Sequence, residues 1–434
     1  MAIIKAFKAL RPTKKLASKI AALPYDVMNR KEAKKMVEGN KYSFLHVDRA
    51  EIDLDESINM YDDVVYDKAK ENLEKMIDLK WYIQDKKPYF YIYRQIMNGK
   101  QQTGLVACAS VDDYKNNIIK KHELTREEKE LDRINHVDRC NANTGPIFLT
   151  YRENKSISNI INEWVKKKPV YNFTSEDGNE HVVWLIDDEK TINNLENLFK
   201  GVDYVYIADG HHRSASAVKV AELRRKEYKE YTGEKEFNFF LSIAYPDSEF
   251  TGEEEFNFFL SIAYPDSELQ VLDYNRTVKD LNGLTKEKFL EEVREYFKIT
   301  LSKDKVKPSK KHTFGMYLEK EWYLLEAKDG TYNIDDPVEQ LDVSILQNNI
   351  LRPILGIDDP RKSNRIAFIG GVRGLEELEK RADSDMKVSF SMFPTSIEDI
   401  MTIADSGRIM PPKSTWFEPK PRSGLFIHKL MSIK

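Results

Sequence analysis

The residues best suited to chemistry form one short run, Ala-Asp-Gly-His-His-Arg-Ser at positions 208–214. Gly210 permits a tight turn and a close approach of a ligand to the backbone. The residues before the run predict a strand and those after it a helix, whose first N–H groups suit phosphate oxygens. Arg213 can clamp a phosphate through two hydrogen bonds, and a histidine can donate to it or move a proton near neutral pH. The run therefore predicts a phosphate-handling turn in an enzyme.

Asp209 can orient an imidazole or hold a metal ion, and we expect it to be the metal ligand. The alternative for the run is a capping aspartate followed by exposed histidines at an ordinary helix start. The helix dipole disfavours positive charge at that end, so His-His-Arg is an unfavourable choice there. The residues expected to bind nucleotide phosphate are Gly210, His211, His212, Arg213 and Ser214. His212 is expected to be catalytic as well.

A second acid–base group lies in Lys120-Lys-His-Glu-Leu-Thr125, after the apolar pair Ile118-Ile119. A kinase of a small alcohol needs a carboxylate to accept the hydroxyl proton. Glu123 is therefore the predicted catalytic base, with His122 beside it as a second catalytic residue. The alternative is a charged cap on the helix that runs through Glu130.

Two further groups of polar residues are candidates for the same cleft. The first group is Asp132, His136 and Asn143, for which a solvated helix face and a polar turn are the alternative. The second group is Tyr25 and Asp26, just before a predicted helix, with His46, Asp48 and Arg49 at the end of a predicted strand.

The C-terminal region is stiffened by prolines and rich in cations and hydroxyls. Its candidates are Lys413, Ser414, Thr415, Lys420 and Arg422. We expect the first three to bind phosphate, although the glycines of a Walker A loop are missing. The alternative is a structural strand with solvated lysines. Catalysis at the turn depends on whether Glu123, His122 or this region folds against it.

The elements that must position these residues are of mixed type. Residues 204–208 predict a strand, and apolar spacing from Ser214 onward predicts a helix. Strands at 88–94 and 102–110 flank Asn98-Gly99, a strong hairpin signal. Strands and helices alternate without a regular βαβ rhythm, so we expect an α/β protein of mixed α+β type. The expected domains are 1–230, which carries the turn, a duplicated strand segment at 231–270, and an α+β domain at 271–434 packed on the first.

Residues 232–249 recur at 251–268 with one change, Lys235 to Glu254. A period of 19 residues that occurs only twice is not a solenoid, so it indicates a local duplication or an assembly error. Each copy contains one strand candidate, and only one copy is expected in the native sheet. We favour the second copy, because it continues directly into Gln270-Val-Leu-Asp-Tyr274.

Composition argues against several classes of protein. The net charge of −4 over 434 residues opposes nucleic-acid binding by bulk electrostatics. No run of about 18 apolar residues could span a bilayer, and the first 12 residues lack a signal-peptide core. The two cysteines, Cys108 and Cys140, have no metal-ligand spacing. We expect a cytoplasmic protein without a membrane partner, whose oligomeric state, a homodimer included, stays open.

Several motifs together resemble an uncharacterised bacterial and archaeal family, catalogued as domain of unknown function 1015. They are Leu23-Pro-Tyr-Asp-Val27, Asn40-Lys-Tyr-Ser-Phe-Leu-His-Val-Asp-Arg49, Lys121-His-Glu-Leu-Thr125, Asn143-Thr-Gly-Pro-Ile-Phe148, the 209–213 run and Met410-Pro-Pro-Lys-Ser-Thr415. The resemblance covers almost the whole chain, and the duplication is the one clear departure.

The 209–213 run is also similar to the Gly-x-x-Arg boxes of the ParB-like and sulfiredoxin-like superfamily. Members of that superfamily bind nucleotide phosphates at this turn, and some are kinases of free serine. The likeness implies a ParB/sulfiredoxin-like mixed-sheet core and phosphate contacts from the residues between Gly210 and Arg213. A sulfiredoxin-type reaction is disfavoured, because a histidine replaces that motif's cysteine.

Three functions fit these observations. The first is a phosphotransferase that uses ATP or ADP with Mg²⁺ and acts on a small hydroxyl-bearing metabolite such as free serine. The second is a phosphatase or hydrolase of a phosphorylated small molecule, using the same histidines with Asp132 or Asp209 in support. The third is a ParB-like nucleotide-binding module acting on DNA, against which the neutral charge and the lack of a basic recognition helix count.

Overall fold

The computed structural model describes residues 2–121, 127–227, 233–246, 271–360, 362–396, 413–417 and 420–430, with residues 399, 403, 406, 408, 410 and 411. The described residues form two compact units. The first comprises residues 2–121, 127–246 and 420–430, and the second comprises residues 271–417.

The first unit is built on a mixed β-sheet, which has nine strands in the part of the chain that the structure describes. The strands of this unit up to residue 246 are β1 (Ile4–Lys5), β2 (Leu10–Pro12), β3 (Tyr82–Gln84), β4 (Phe90–Met97), β5 (Lys100–Ser110), β6 (Ile119–Lys120), β7 (Ala142–Asn143), β8 (Ile147–Tyr151), β9 (Tyr171–Thr174), β10 (Glu180–Ile186), β11 (Val205–Asp209) and β12 (Phe239–Pro246). The order across the sheet is β6-β11-β8-β12-β5-β4-β10-β9, with β1 beside β5. The β6–β11 and β8–β12 pairs are parallel and the other neighbours are antiparallel.

The predicted hairpin is present. Met97 pairs with Lys100, and Asn98 and Gly99 between them have φ of +55° and +83°. A two-residue turn with positive φ at both positions matches the twist of the strands, which is why Asn-Gly is favoured there.

Helices pack around this sheet and against one another. Those of the first unit are α1 (Ala17–Ile20), α2 (Arg30–Met36), α3 (Leu45–Asp48), α4 (Asp63–Asp78), α5 (Val111–Lys115), α6 (Glu127–Cys140), α7 (Lys155–Trp164), α8 (Glu189–Phe199) and α9 (His211–Glu227). Single 3₁₀ turns occur at Tyr25–Val27, Ala50–Asp53 and Glu236–Asn238. The prediction that His46, Asp48 and Arg49 end a strand is wrong, because residues 45–48 form α3, whose apolar residues Leu45 and Val47 are buried.

Two apolar cores hold the first unit together. One lies between the sheet and α7–α9 and includes Leu105, Leu149, Ile207 and Phe240. The other lies among α2, α3 and α4, where α4 buries residues at the helical spacing of three and four, from Val65 to Met76. Each fully buried aliphatic or aromatic side chain contributes about 1.5–3 kcal/mol.

The first copy of the repeated segment supplies β12, in the middle of the sheet between β5 and β8. Our preference for the second copy is therefore wrong, and the second copy lies outside the described residues. The first copy enters the sheet soon after α9, and its Phe237 packs with Val137, Val220 and Leu430. The two nearly identical copies predict the same strand, so their own sequences do not indicate which copy forms β12.

The second unit has a six-stranded antiparallel sheet in the described residues, in the order β15-β17-β16-β19-β14-β18. Its strands are β13 (Val271–Leu272), β14 (Tyr274–Val278), β15 (Phe297–Ser302), β16 (Thr313–Leu318), β17 (Glu321–Ala327), β18 (Ile366–Gly370), β19 (Val388–Ser391) and β20 (Trp416–Phe417). Its helices are α10 (Lys286–Tyr296), α11 (Asp342–Leu346), which continues as a π-helical turn at Gln347–Leu351, and α12 (Gly374–Ala382), with a 3₁₀ turn at Gly371–Arg373 before α12. The side chain of Thr285 caps α10, since it accepts from the backbone N–H of Lys288.

The chain's end returns to the first unit. A last strand, β21 (His428–Lys429), pairs with β7, and Ser423 bridges to Ala22. The expected contiguous domain 271–434 therefore differs from the structure, in which residues 420–430 complete the first unit. The expectation of a mixed α+β fold is confirmed. Among the described helices none has the length and apolar character needed to cross a membrane.

Candidate active site

Asp209 ends β11 and holds two cations. Its Oδ2 lies 2.8 Å from Nη2 of Arg213, and its Oδ1 lies 3.2 Å from Nζ of Lys420. The side chains are largely buried, at 21% exposure for Asp209, 11% for Arg213 and 6% for Lys420. Arg213 also donates to the carbonyl of Pro146. One carboxylate thus fixes two cationic groups beside the turn, which leaves a local excess of positive charge.

The electrostatics of this group are those of a tightly held ion triad. Burial by itself would raise the pKa of Asp209, but the charges of Lys420, Arg213 and His211 hold it well below the usual range. The carboxylate is therefore ionised throughout the physiological range. Both cations remain anchored to it under the same conditions.

Gly210 makes the turn between β11 and α9. Its φ is +94°, in the region that favours glycine, and a Cβ there would lie 3.2–3.3 Å from the guanidinium of Arg213. A register irregularity between Ile207 and Asp209 in the pairing with β8 accompanies the turn. The glycine therefore serves two purposes, since it allows the backbone conformation and leaves room for the guanidinium.

The remaining residues of the run lie in the first turns of α9. His211 is buried and His212 is half-buried, so the alternative of exposed histidines at a helix start is wrong for His211. Ser214 is fully buried, and its hydroxyl donates to the carbonyl of His211 at 2.9 Å. The hydroxyl of Ser214, a residue expected to bind phosphate, therefore has its partner within the helix.

A small cavity of about 20 Å³ lies beside Arg213 in the first unit. Its walls include six polar side chains, from Tyr25, Asp48, Arg133, His136, Asn143 and Thr144. A volume of this size admits one water-sized group. Four sequence candidates from separate parts of the chain are thus brought together, namely Tyr25, Asp48, His136 and Asn143.

Arg133 is fixed in the cavity wall by two contacts. Its Nε donates to Asp132 at 3.0 Å, and its guanidinium lies 4.0 Å from the centre of the Tyr25 ring. The other oxygen of Asp132 accepts from the hydroxyl of Tyr66 at 3.2 Å. Asp132, Arg133 and His136 are all buried, so the alternative of a solvated helix face is wrong.

The sequence matches the family described as "Protein of unknown function (DUF1015)" over residues 4–251 and again over residues 244–344. The chain belongs to this family. The two matched segments overlap at the repeated region, as expected if the family pattern contains one copy of the segment. No curated protein matches the sequence.

Solved structures similar to this DUF1015 protein include a conserved hypothetical protein from Pyrococcus furiosus, at 14% identity and a TM-score of 0.36, covering 77% of this chain and 97% of that one. A free serine kinase in complex with AMP is 13% identical with a TM-score of 0.37, covering 74% and 91% of the two chains. SbnI with a C-terminal truncation from Staphylococcus aureus is 11% identical with a TM-score of 0.37, covering 74% and 85%. At these values neither an activity nor a residue's role is carried over to this chain.

Not every predicted site residue can be placed with the turn. Glu123 and His122 lie outside the described residues. Lys413, Ser414 and Thr415 belong to the second unit. There the carbonyl of Lys413 accepts from Nη2 of Arg276 at 2.9 Å, and the buried hydroxyl of Ser414 donates to the carbonyl of Pro411 at 2.6 Å.

Lys420 is the residue whose role the sequence reasoning missed. The sequence predicts it as one cation of the C-terminal region and indicates no partner for it. Nothing local indicates Asp209, which lies 211 positions earlier in the chain. The only signal was its residue type, a lysine between two prolines, Pro419 and Pro421.

The contacts of Asp209 do not favour metal binding. Each of its oxygens accepts from a cation, and the described residues contain no group of three histidine, cysteine, aspartate or glutamate side chains that could hold a metal ion. A protein cage for Mg²⁺ usually requires carboxylate oxygens that are free to coordinate. Metal ligation by Asp209 stays an untested prediction.

Proposed function

We propose that this DUF1015 protein is a nucleotide-dependent phosphotransferase that acts on a small hydroxyl-bearing metabolite, with free serine as the first acceptor to test. The observation that supports it is the placement of Arg213 and Lys420 by Asp209 at the N-terminus of α9, directly after Gly210. Two fixed cations and a helix N-terminus form the kind of site that binds phosphate oxygens. Catalysis of phosphoryl transfer rests mainly on such positioning and charge stabilisation.

In the proposed reaction the acceptor's hydroxyl oxygen attacks the terminal phosphorus of ATP or ADP. The bond from that phosphorus to the bridging oxygen breaks, and the nucleotide leaves with one phosphate fewer. The hydroxyl proton passes to a carboxylate, for which Glu123 remains our candidate. Arg213, Lys420 and His212 stabilise the charge on the transferred group. Mg²⁺ would be bound by the nucleotide's own phosphates, since Asp209 is engaged with cations.

The test is a direct search for product. The full-length protein is incubated with ATP or ADP, Mg²⁺ and single free amino acids, and phosphorus NMR detects the formation of O-phosphoserine. We expect Lys420→Met and Arg213→Ala to lower the rate by at least about 100-fold, as removal of a transition-state donor does elsewhere. Glu123→Gln and His212→Ala test the two predicted catalytic residues in the same assay.

Lys166→Met is the matched control, because Lys166 is an exposed lysine of the same unit that pairs with Glu163. It should leave the rate unchanged. Phosphate release from O-phosphoserine without nucleotide would favour the phosphatase instead. Nucleotide binding with neither reaction would favour a ParB-like binding module.

A further inference from the structure

The cavity beside Arg213 is lined by two buried acceptor groups, one of which has no donor in the described residues. They belong to Asp48, which is 4% exposed, and His136, which is 3% exposed. Both side chains line the cavity. Buried acceptors are normally satisfied, so the unpartnered ring nitrogen of His136 indicates a missing donor.

His136 presents an acceptor nitrogen. Its Nε2 lies 3.1 Å from the carbonyl oxygen of Val47, which can only accept, so Nε2 carries the ring proton. Burial and the charge of Arg133 lower the pKa of His136, which keeps the ring neutral. Nδ1 therefore bears a lone pair, and no group of the described residues donates to it.

Asp48 presents a carboxylate whose direct donor is a neutral hydroxyl. The hydroxyl of Thr144 donates to its Oδ1 at 2.9 Å, and within the described ranges Asp48 forms no ion pair. The two cations of the cavity wall are engaged elsewhere, Arg133 with Asp132 and Arg213 with Asp209. The charge of Arg133 interacts with Asp48 without a hydrogen bond between them. A buried carboxylate is stabilised further by a directly bound cation, so this position suits a positively charged ligand group.

We propose that this cavity binds the primary ammonium group of a small hydroxy amino acid, with Asp48 and His136 as its acceptors. An ammonium group has the size of a water molecule, which fits about 20 Å³. It supplies three N–H donors and a positive charge next to the carboxylate of Asp48. A hydroxyl supplies one donor and no charge, a guanidinium is too large, and a carboxylate would meet two acceptors.

That the ligand carries a hydroxyl group rests on the proposed phosphotransferase function, in which this hydroxyl accepts the phosphate. Arg213 lines this cavity and also pairs with Asp209, so a ligand bound here lies beside the turn. The cavity admits only the ammonium end, and the remainder of the amino acid extends outside it. The reacting hydroxyl can then approach a phosphate held at α9.

The experiment compares two ligands that differ only in this group. Isothermal titration calorimetry without nucleotide measures the binding of L-serine and of glycerate, in which a hydroxyl replaces the ammonium. We expect serine to bind at least about tenfold more tightly, as a charge-assisted hydrogen bond contributes. Asp48→Asn should remove that preference by weakening serine alone, and Asp67→Asn, at an exposed carboxylate of α4, should not.

Equal affinities for serine and glycerate, or no binding of either, would overturn the inference. The comparison of serine and glycerate affinities in the unmodified protein tests the inference even if Asp48→Asn does not fold. A crystal structure of the serine complex that shows only water between Asp48 and His136 would also overturn it. Preferential serine binding without formation of O-phosphoserine would overturn the proposed phosphotransferase activity and support the ammonium site. Phosphorylation of glycerate as readily as serine would support the phosphotransferase activity and overturn the ammonium site.

Discussion

At the residue scale, a carboxylate that holds two cations does more than neutralise them. Arg213 and Lys420 carry long side chains with many rotamers, and each loses this freedom on pairing with Asp209. The loss occurs during folding, so a phosphate that binds later meets donors already in place. Such preorganisation strengthens binding without any additional contact.

Replacing Asp209 by Asn should destabilise the protein, because Arg213 and Lys420 would remain buried without a counter-charge. We expect a loss of about 2 kcal/mol or more in the free energy of unfolding at pH 7, measured by urea titration. The depressed pKa of Asp209 means that its contribution is present above its unfolded pKa and is lost as the pH falls through the lower folded value. The difference between the variant and the unmodified protein should therefore shrink as the pH falls below about 4.

Asp67→Asn is the control for this measurement and should change stability by less than about 0.5 kcal/mol. An Asp209→Asn variant as stable as the control at pH 7 would contradict the assigned role of the triad.

Substituting Gly210 by Ala tests the turn against a matched glycine. Gly210 and Gly178 have φ of +94° and +81°, but a Cβ at Gly178 meets nothing within 4 Å. Both alanine variants should lose about 1–2 kcal/mol of stability from the left-handed backbone, by urea unfolding. Only Gly210→Ala also crowds Arg213, so it alone should weaken nucleotide binding in calorimetry. Equal nucleotide affinity in the two variants would show that the crowding has no consequence.

At the element scale, α6 shows how one helix can serve a site from its buried face. Asp132 and His136 are four residues apart and lie on the same side of the helix. Both are buried. Asp132 fixes Arg133 and accepts from Tyr66 of α4. His136 faces Val47 of α3. Exposed residues of α6 could change without affecting the cavity.

In the second unit, α11 begins with a buried carboxylate that should make stability depend on pH. Burial raises the pKa of Asp342 to about 7, against a hydrogen bond from the N–H of His312 and the charge of Lys311. The stability contributed by the protonated carboxyl is fully present at pH values below its pKa in the unfolded chain. It is lost as the pH rises through the higher pKa of the folded protein. Asp342→Asn should therefore be more stable than the unmodified protein at pH 8, by up to about 4 kcal/mol, and equal to it near pH 4.

Thermal unfolding at a series of pH values measures this difference. Asp304→Asn is the control, because Asp304 is an exposed carboxylate of the same unit. Parallel pH profiles for Asp342→Asn and the unmodified protein would contradict the prediction.

At the scale of the whole molecule, the duplicated segment can be tested by deletion. Removing residues 251–269 or residues 232–250 leaves chains that differ only at Lys235 or Glu254 and at Phe250 or Leu269. The strand sequence of β12 is identical in both copies. We expect both chains to fold, with unfolding free energies in urea within about 1 kcal/mol of each other. Folding of only one of them would show that the copies are not interchangeable.

The closure of the first unit by its last residues is also a property of the whole chain. Arg422 contacts Ser175 at 3.1 Å and pairs with Asp177, and this places Lys420 two residues earlier beside Asp209. Burial lowers the pKa of the neighbouring His181 to about 3, so this histidine stays neutral next to Arg422. The position of the second cation thus depends on how the chain end folds back.

The sequence by itself determined the features in which partners are close along the chain. The strand, the glycine turn and the helix from Val205 to Glu227 follow from local periodicity and from the conformational freedom of glycine. The Asn98-Gly99 hairpin and the Thr285 cap of α10 follow for the same reason. The mixed fold class follows from the alternation of such elements.

Only the tertiary structure decided which distant residues meet. Lys420 and Asp209, or Asp48, His136 and Arg213, come from separate elements, and no local pattern specifies the pairing. The two copies of the repeat have the same propensity, so the sheet position of the first was likewise not readable from either copy. A turn that could bind phosphate was visible in the residues, but its second cation and its neighbouring cavity exist only because the chain packs them together.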